Sequence, residues 1–150
     1  MRPSARGAAY IAFHQGVADE LREHYDFTEV RKVQPRNWCD FGTGTSWAHY
    51  AESFGRNNEA RTEVCFDMKN NRQANKACFD ALAKDKAAIE REFGEPLRWE
   101  RLDKGSWSRI AAYRPGSIED RKTLPEIHTW VIDRLLKFKK VFGPRLQRLP

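Results

Sequence analysis

No apolar run in this chain approaches the roughly 18 residues needed to cross a bilayer, which excludes a membrane-spanning helix. Cysteine is scarce. Cys39, Cys65 and Cys78 make neither an even set nor a CxxC pair, so a disulfide framework is not expected and free thiols in a reducing cytoplasm are. The opening Met1-Arg2-Pro3-Ser4-Ala5-Arg6 precedes no apolar segment of signal-peptide length. Glycine motifs for phosphate are missing as well. Phe41-Gly42-Thr43-Gly44 fits neither GxGxxG nor GxxxxGK, and a strand bend or bulge is its expected use. His14, His24, His49 and His128 form no HExxH and no zinc spacing with the cysteines, so no metal-ligating set is expected. His49 with Cys65 across a ribbon is a conceivable thiol pair, against ordinary polar or core roles for both. A Ser/His/Asp pattern and a nucleophile elbow are also absent.

What is present suits one polar-surfaced domain with its own core. The chain has 150 residues, of which 32% are charged and 40% hydrophobic. Its net charge is +6, and the segment from Arg134 to Pro150 carries Arg134, Lys137, Lys139, Lys140, Arg145 and Arg148 with no acid. A basic cluster at a helix end suits an anionic partner; it also suits the negative end of a helix dipole.

Tyr10, Phe13, Val17, Leu21 and Tyr25 recur at helical spacing and mark the first helix. A linker, Asp26 to Asn37, follows. Trp47 to Phe54 reads as extended, Gly55-Arg56-Asn57-Asn58 as a turn, and Ala60 to Met68 alternates as a half-buried strand. Cys78, Phe79, Leu82, Ile89 and Phe93 mark one helix ended by Gly94, with Pro96 preventing its resumption. Leu97 to Leu102 alternates, Asp103-Lys104-Gly105 predicts a three-residue hairpin loop with positive φ at Gly105, and a second strand runs to Tyr113. Ser117-Ile118-Glu119-Asp120 resembles a helix start, and Thr123-Leu124-Pro125-Glu126 is a stronger one. Ile127, Val131, Leu135, Phe138 and Phe142 stripe the last helix, expected to stop at Gly143-Pro144. The order α-ββ-α-ββ-α predicts an α+β domain: a four-stranded antiparallel sheet built from two β-hairpins, with three helices on one face. The two ribbon–helix units suggest a weak internal duplication. Residues 1–6 and 145–150 are expected to be flexible ends.

Phe93-Gly94-Glu95-Pro96-Leu97-Arg98-Trp99-Glu100-Arg101-Leu102 with Ser108-Arg109-Ile110 resembles a bacterial and archaeal family known as domain of unknown function 4268. Asn37-Trp38 with Phe41-Gly42-Thr43-Gly44, Arg61-Thr62-Glu63-Val64, Ile118-Glu119-Asp120-Arg121 and the aromatics Trp130, Phe138 and Phe142 also match, so the resemblance spans Asn37 to Leu146. Members of that family occur alone or behind domains like restriction- or repair-type nucleases. The resemblance implies company with DNA enzymes, and it carries over no catalytic residue.

Two candidate sites follow from the residues. Arg56, Arg61, Arg98, Arg101, Arg109 and Arg114, with Trp47 and Trp107 interleaved and Lys137 and Lys140 on the last helix, could form a cationic and aromatic surface that stacks bases and neutralises phosphates. Trp99 and Trp130 are expected in the core instead. The expected function is a cytoplasmic, non-catalytic module that binds nucleic acid, DNA first, or docks on a nuclease or defence-type partner, with no cofactor. The alternative is a small nuclease. Asp67-Met68-Lys69 ends the clearest strand, and Asp40, Glu52 and Glu63 lie upstream; two carboxylates could hold Mg²⁺ while Lys69 steadies the attacking water or phosphate. Glu63 and Asp67 share a face but stand roughly 13 Å apart along a strand, too far to share one ion. A third reading is a protein–protein adaptor, which requires an exposed apolar patch.

Overall fold

The computed structural model describes residues 3–149. Helix α1 (Ala5–Tyr25) starts where Ser4 accepts a hydrogen bond from the Gly7 N–H at 3.0 Å, and it ends at Asp26 in the left-handed region. The linker then runs back along α1, held where Arg22 and Gln15 donate to the Val30 and Arg31 carbonyls. Strands β1 (Trp38–Gly42), β2 (His49–Phe54) and β3 (Glu59–Phe66) form a meander. Helices α2 (Arg72–Ala83) and α3 (Lys86–Phe93), strands β4 (Arg98–Glu100) and β5 (Ser108–Pro115), and helix α4 (Leu124–Arg148) complete the chain. The sheet is antiparallel throughout, in the order β1-β2-β3-β5-β4.

The α+β class is as expected, with five strands and four helices instead of four and three. The additional strand is β1. Its Cys39 and Phe41 are buried while Trp38 and Gly42 are exposed, so a five-residue edge strand stands where a bend was anticipated. Gly44, at φ 88°, makes the turn that follows. The additional helix comes from a break at Lys84-Asp85. Helix α2 packs on β3 and β5, whereas α3 packs on α4, and one straight helix could not serve both directions. With three strands before α2 and two after α3, the units are not a repeat.

Further expectations are corrected. The β4–β5 connection is not a tight loop on Gly105; the left-handed residue is Leu102, at φ 57°. A buried lysine organises that loop. Lys76 of α2 donates to the carbonyls of Arg101, Leu102 and Trp107 and to the Ser108 hydroxyl, so tertiary bonds replace turn geometry. Residues 117–120 form a turn, and the Thr123 hydroxyl donates to the Asp120 carbonyl instead of capping α4. Helix α4 also runs through Gly143-Pro144. Pro144 sits on the exposed side, and burial of Leu146 one turn beyond holds the helix together. Ala5 and Arg6, and residues 145–148, are therefore helical; Met1, Arg2 and Pro150 lie outside the described residues.

All helices lie on one face of the sheet. Tyr50, Val64, Phe66 and Ile110 from the strands meet Phe93, Leu135, Phe138 and Phe142, with the Phe93 and Phe138 rings 4.8 Å apart. Each such ring buried contributes about 1.5–3 kcal/mol relative to exposure. Among the described residues the opposite face of the sheet carries no helix. No helix of the described residues is long and apolar enough to cross a membrane.

Candidate functional site

Strand register determines which side chains share the uncovered face. Directly paired residues point the same way. Trp38, Ser53, Arg61 and Tyr113 form one row across the sheet. Asp40, Ala51, Glu63, Ala111 and Arg98 form the next. Gly42, His49, Cys65, Arg109 and Glu100 form the third, and Asp67 follows Cys65 by two residues. A depression of about 170 Å³ lies among them, with Trp38 and Trp107 on its walls. Trp107 is 54% exposed and Trp38 37%, the latter with the Arg36 guanidinium stacked 3.4 Å from its ring centroid. Ser53 also borders the depression. Its hydroxyl is buried and has no hydrogen-bond partner among the described residues, an unusual cost for a native interior.

The arginines of this face are paired. Arg61 Nε donates to Glu63 at 2.5 Å, Arg109 Nε to Glu100 at 2.9 Å, and Arg98 contacts Glu59 at 3.0 Å while lying over the Tyr113 ring. Tyr113 donates to the Glu100 oxygen that Arg109 uses. Burial raises the Glu100 carboxyl, but those two donors outweigh burial and hold it below the usual carboxylate value. Elsewhere Arg101 is held by Asp80 and Asp103, Arg114 lies 3.8 Å from Glu126, and Lys137 lies 3.6 Å from Asp133. Two cations of the basic tail are paired with acids distant in sequence: Arg134 meets Glu95 and Arg145 meets Glu92. Arg56 and Lys140 are exposed, with no carboxylate partner among the described residues. The cations named from the sequence thus form no continuous basic surface. Trp47 is on the helix side, stacked 6.5 Å from Phe66, and Trp99 and Trp130 pack against the core.

Of the nuclease set, Asp40, Glu63 and Asp67 all line the depression, because β1 and β3 flank β2. Lys69 is exposed beyond β3 and does not line it. Glu52 points the other way. It lies under the sheet, 2.7 Å from His14 Nδ1, with both side chains buried. Burial drives the Glu52 carboxyl upward against the opposing hydrogen bond from His14.

The sequence placed His49 opposite Cys65 across a ribbon, as found, but missed that Asp67 joins them in a donor cluster. His49 pairs directly with Cys65 across β2 and β3, and Asp67 stands on the same face. One donor atom from each of the three lies within 4.8 Å of the other two, and His49 Nδ1 is 3.1 Å from Asp67 Oδ1. Burial, then the nearby Glu63 and Asp67 charges, pushes the Cys65 thiol up. Among the described residues this is the one group of three or more such side chains within ligand distance. Trp38 was missed too, because nothing in Asn37-Trp38-Cys39 marks which way the indole faces.

The family model for a domain of unknown function (DUF4268) matches residues 9–146, so α1 falls inside it as well as the segments from Asn37 onward. The chain belongs to that family. No curated protein and no solved structure matches it.

Proposed function

We propose that this domain is a non-catalytic module that binds single-stranded nucleic acid, DNA first, on the uncovered face of its sheet. The observation that carries this reading is the pair of exposed tryptophans, Trp38 and Trp107, on the walls of a depression that holds the unpartnered Ser53 hydroxyl. Indole faces accept any base, at about 1–3 kcal/mol per stacked base. Asp40, Glu63 and Arg61 offer acceptors and donors to a base edge beside them. Because most arginines here are already paired, Arg36 with Asp40 at 3.7 Å included, backbone neutralisation falls to few cations, the exposed Arg56 and Lys69 among them. For roughly three neutralised phosphates the slope of log affinity against log salt is about −2. Docking beside a nuclease that acts on the same strand fits such a module, and this part rests on the family resemblance alone.

The nuclease reading has less support. Mg²⁺ favours oxygen ligands, whereas the close donor cluster brings one carboxylate together with an imidazole and a thiol. The adaptor reading needs a contiguous apolar patch; Tyr25 ends α1, Leu102 and Trp107 stand at the two ends of the β4–β5 connection, and Trp107 and Trp38 share their depression with the polar Asp40, Glu63 and Asp67. The test is fluorescence anisotropy with labelled single- and double-stranded DNA and RNA over a salt series, with and without Mg²⁺. Single strands should bind more tightly. Trp107→Ala should weaken binding by about 5- to 150-fold, the ratio equivalent to one lost stack. Unchanged affinity in the Trp38→Ala/Trp107→Ala double variant would overturn the proposal.

A further inference from the structure

We propose that His49 Nδ1, Cys65 Sγ and the Asp67 carboxylate form a three-ligand site for a zinc-class divalent ion, with its fourth position open to the depression. The inference does not rest on the nucleic-acid reading. Three donors of different chemistry converge here from two strands, and the strand register holds their backbones: His49 and Cys65 are a direct cross-strand pair, and Cys65 and Asp67 are two apart on one face. Tetrahedral zinc with ordinary bond lengths places its ligand atoms about 3.3–3.8 Å apart. The donors already lie within 4.8 Å of one another, and His49 and Asp67 are at 3.1 Å, so side-chain rotation by about an ångström closes the set.

The charged neighbours agree with this assignment. Arg109 faces Cys65 from β5 but is bound to Glu100, and Glu63 flanks the site from β3 but is bound to Arg61. Asp67, with His49 at 3.1 Å, is the carboxylate beside the thiol that no arginine holds among the described residues. On binding, Cys65 releases its thiol proton to solvent as the sulfur–metal bond forms, and His49 ligates as the neutral imidazole. A thiolate among the ligands selects zinc, cobalt(II) or a softer ion over Mg²⁺ or Ca²⁺. Three protein ligands leave one position for water or for a donor atom of whatever occupies the depression, the arrangement of an open zinc site.

The experiment uses the full chain, reduced and freed of metal by chelation, then titrated with Zn²⁺ and, as a spectroscopic probe, with Co²⁺. One equivalent of zinc should bind, and Co²⁺ should produce a thiolate-to-metal charge-transfer band. Cys65→Ser should abolish the band, and the Cys39→Ser/Cys78→Ser double variant should retain it. Because Cys65 is buried and its variant could fold poorly, His49→Gln and Asp67→Asn provide a second reading; each should weaken zinc binding at least tenfold with near-ultraviolet dichroism unchanged. A band that survives Cys65→Ser, a band lost in the Cys39/Cys78 variant, or zinc affinity unaffected by both His49→Gln and Asp67→Asn would overturn the assignment. Anisotropy with the metal-free chain separates the two proposals: nucleic-acid binding that persists while zinc binding fails removes only the metal site, and the converse removes only the nucleic-acid reading.

Discussion

Glu52 and Glu63 stand on neighbouring strands, are both almost fully buried, and meet opposite surroundings. Glu52 faces the helices, where His14 of α1 is its one partner and its second oxygen has none. Glu63 faces the uncovered side, where Arg61 holds it and solvent, Trp38 and Trp107 are close. The helix face stabilises the fold through apolar packing and carries its polar groups as a burden. The other face has no helix packed on it among the described residues; Ser53, Glu63 and Cys65 there are buried as well, but they line the depression. The same strands therefore divide structural work from chemical work by side-chain parity.

Several substitutions break or sharpen that division. Phe138→Ala, in the helix-side core, should cost about 3–5 kcal/mol by denaturant unfolding, through lost burial and the cavity left behind. His14→Ala should cost less, about 1–3 kcal/mol, because it leaves the Glu52 carboxyl buried without its hydrogen-bond partner. This pair also has a signature in pH. The folded-state carboxyl of Glu52 lies above its ordinary value of 4.5, so the folded chain keeps a proton that the unfolded chain has lost. Its contribution is fully present below 4.5 and is lost as pH rises through the folded value. Unfolding free energy measured across that window should decline in the wild type and stay flatter in Glu52→Gln.

Lys76→Met should cost about 1–3 kcal/mol, since three loop carbonyls lose their shared donor. Hydrogen exchange should accelerate first across residues 101–107. At the small end, Trp107→Ala should leave stability within about 0.5 kcal/mol while weakening nucleic-acid binding. A large stability loss there would mean that the indole packs as core and that the two faces are not divided as described.

Much of this was legible from residue spacing. Tyr10, Phe13, Val17 and Leu21 marked α1 because a helix that packs on one side must repeat its apolar residues near 3.6. Ala60 to Phe66 marked β3 by alternation, even though both of its faces are largely buried. The misses have physical causes. Strand β1 is short and glycine-bounded, which looks like a bend until β2 pairs with it. Gly143-Pro144 is a stop signal that the buried Leu146 overrides. The basic tail looked unopposed because the acids that pair with Arg134 and Arg145 come from the turn after α3 (Glu95) and from α3 itself (Glu92).

The amino-acid order alone determined the α+β class, the antiparallel sheet, the family and most element positions, since these follow from local periodicity, turn chemistry and short-range motifs. Only the tertiary structure decided which cations are neutralised, that Trp38 and Trp107 border one depression, and that His49, Cys65 and Asp67 meet. Those facts depend on strand register, and register brings together side chains whose separation along the chain carries no trace of their distance in space.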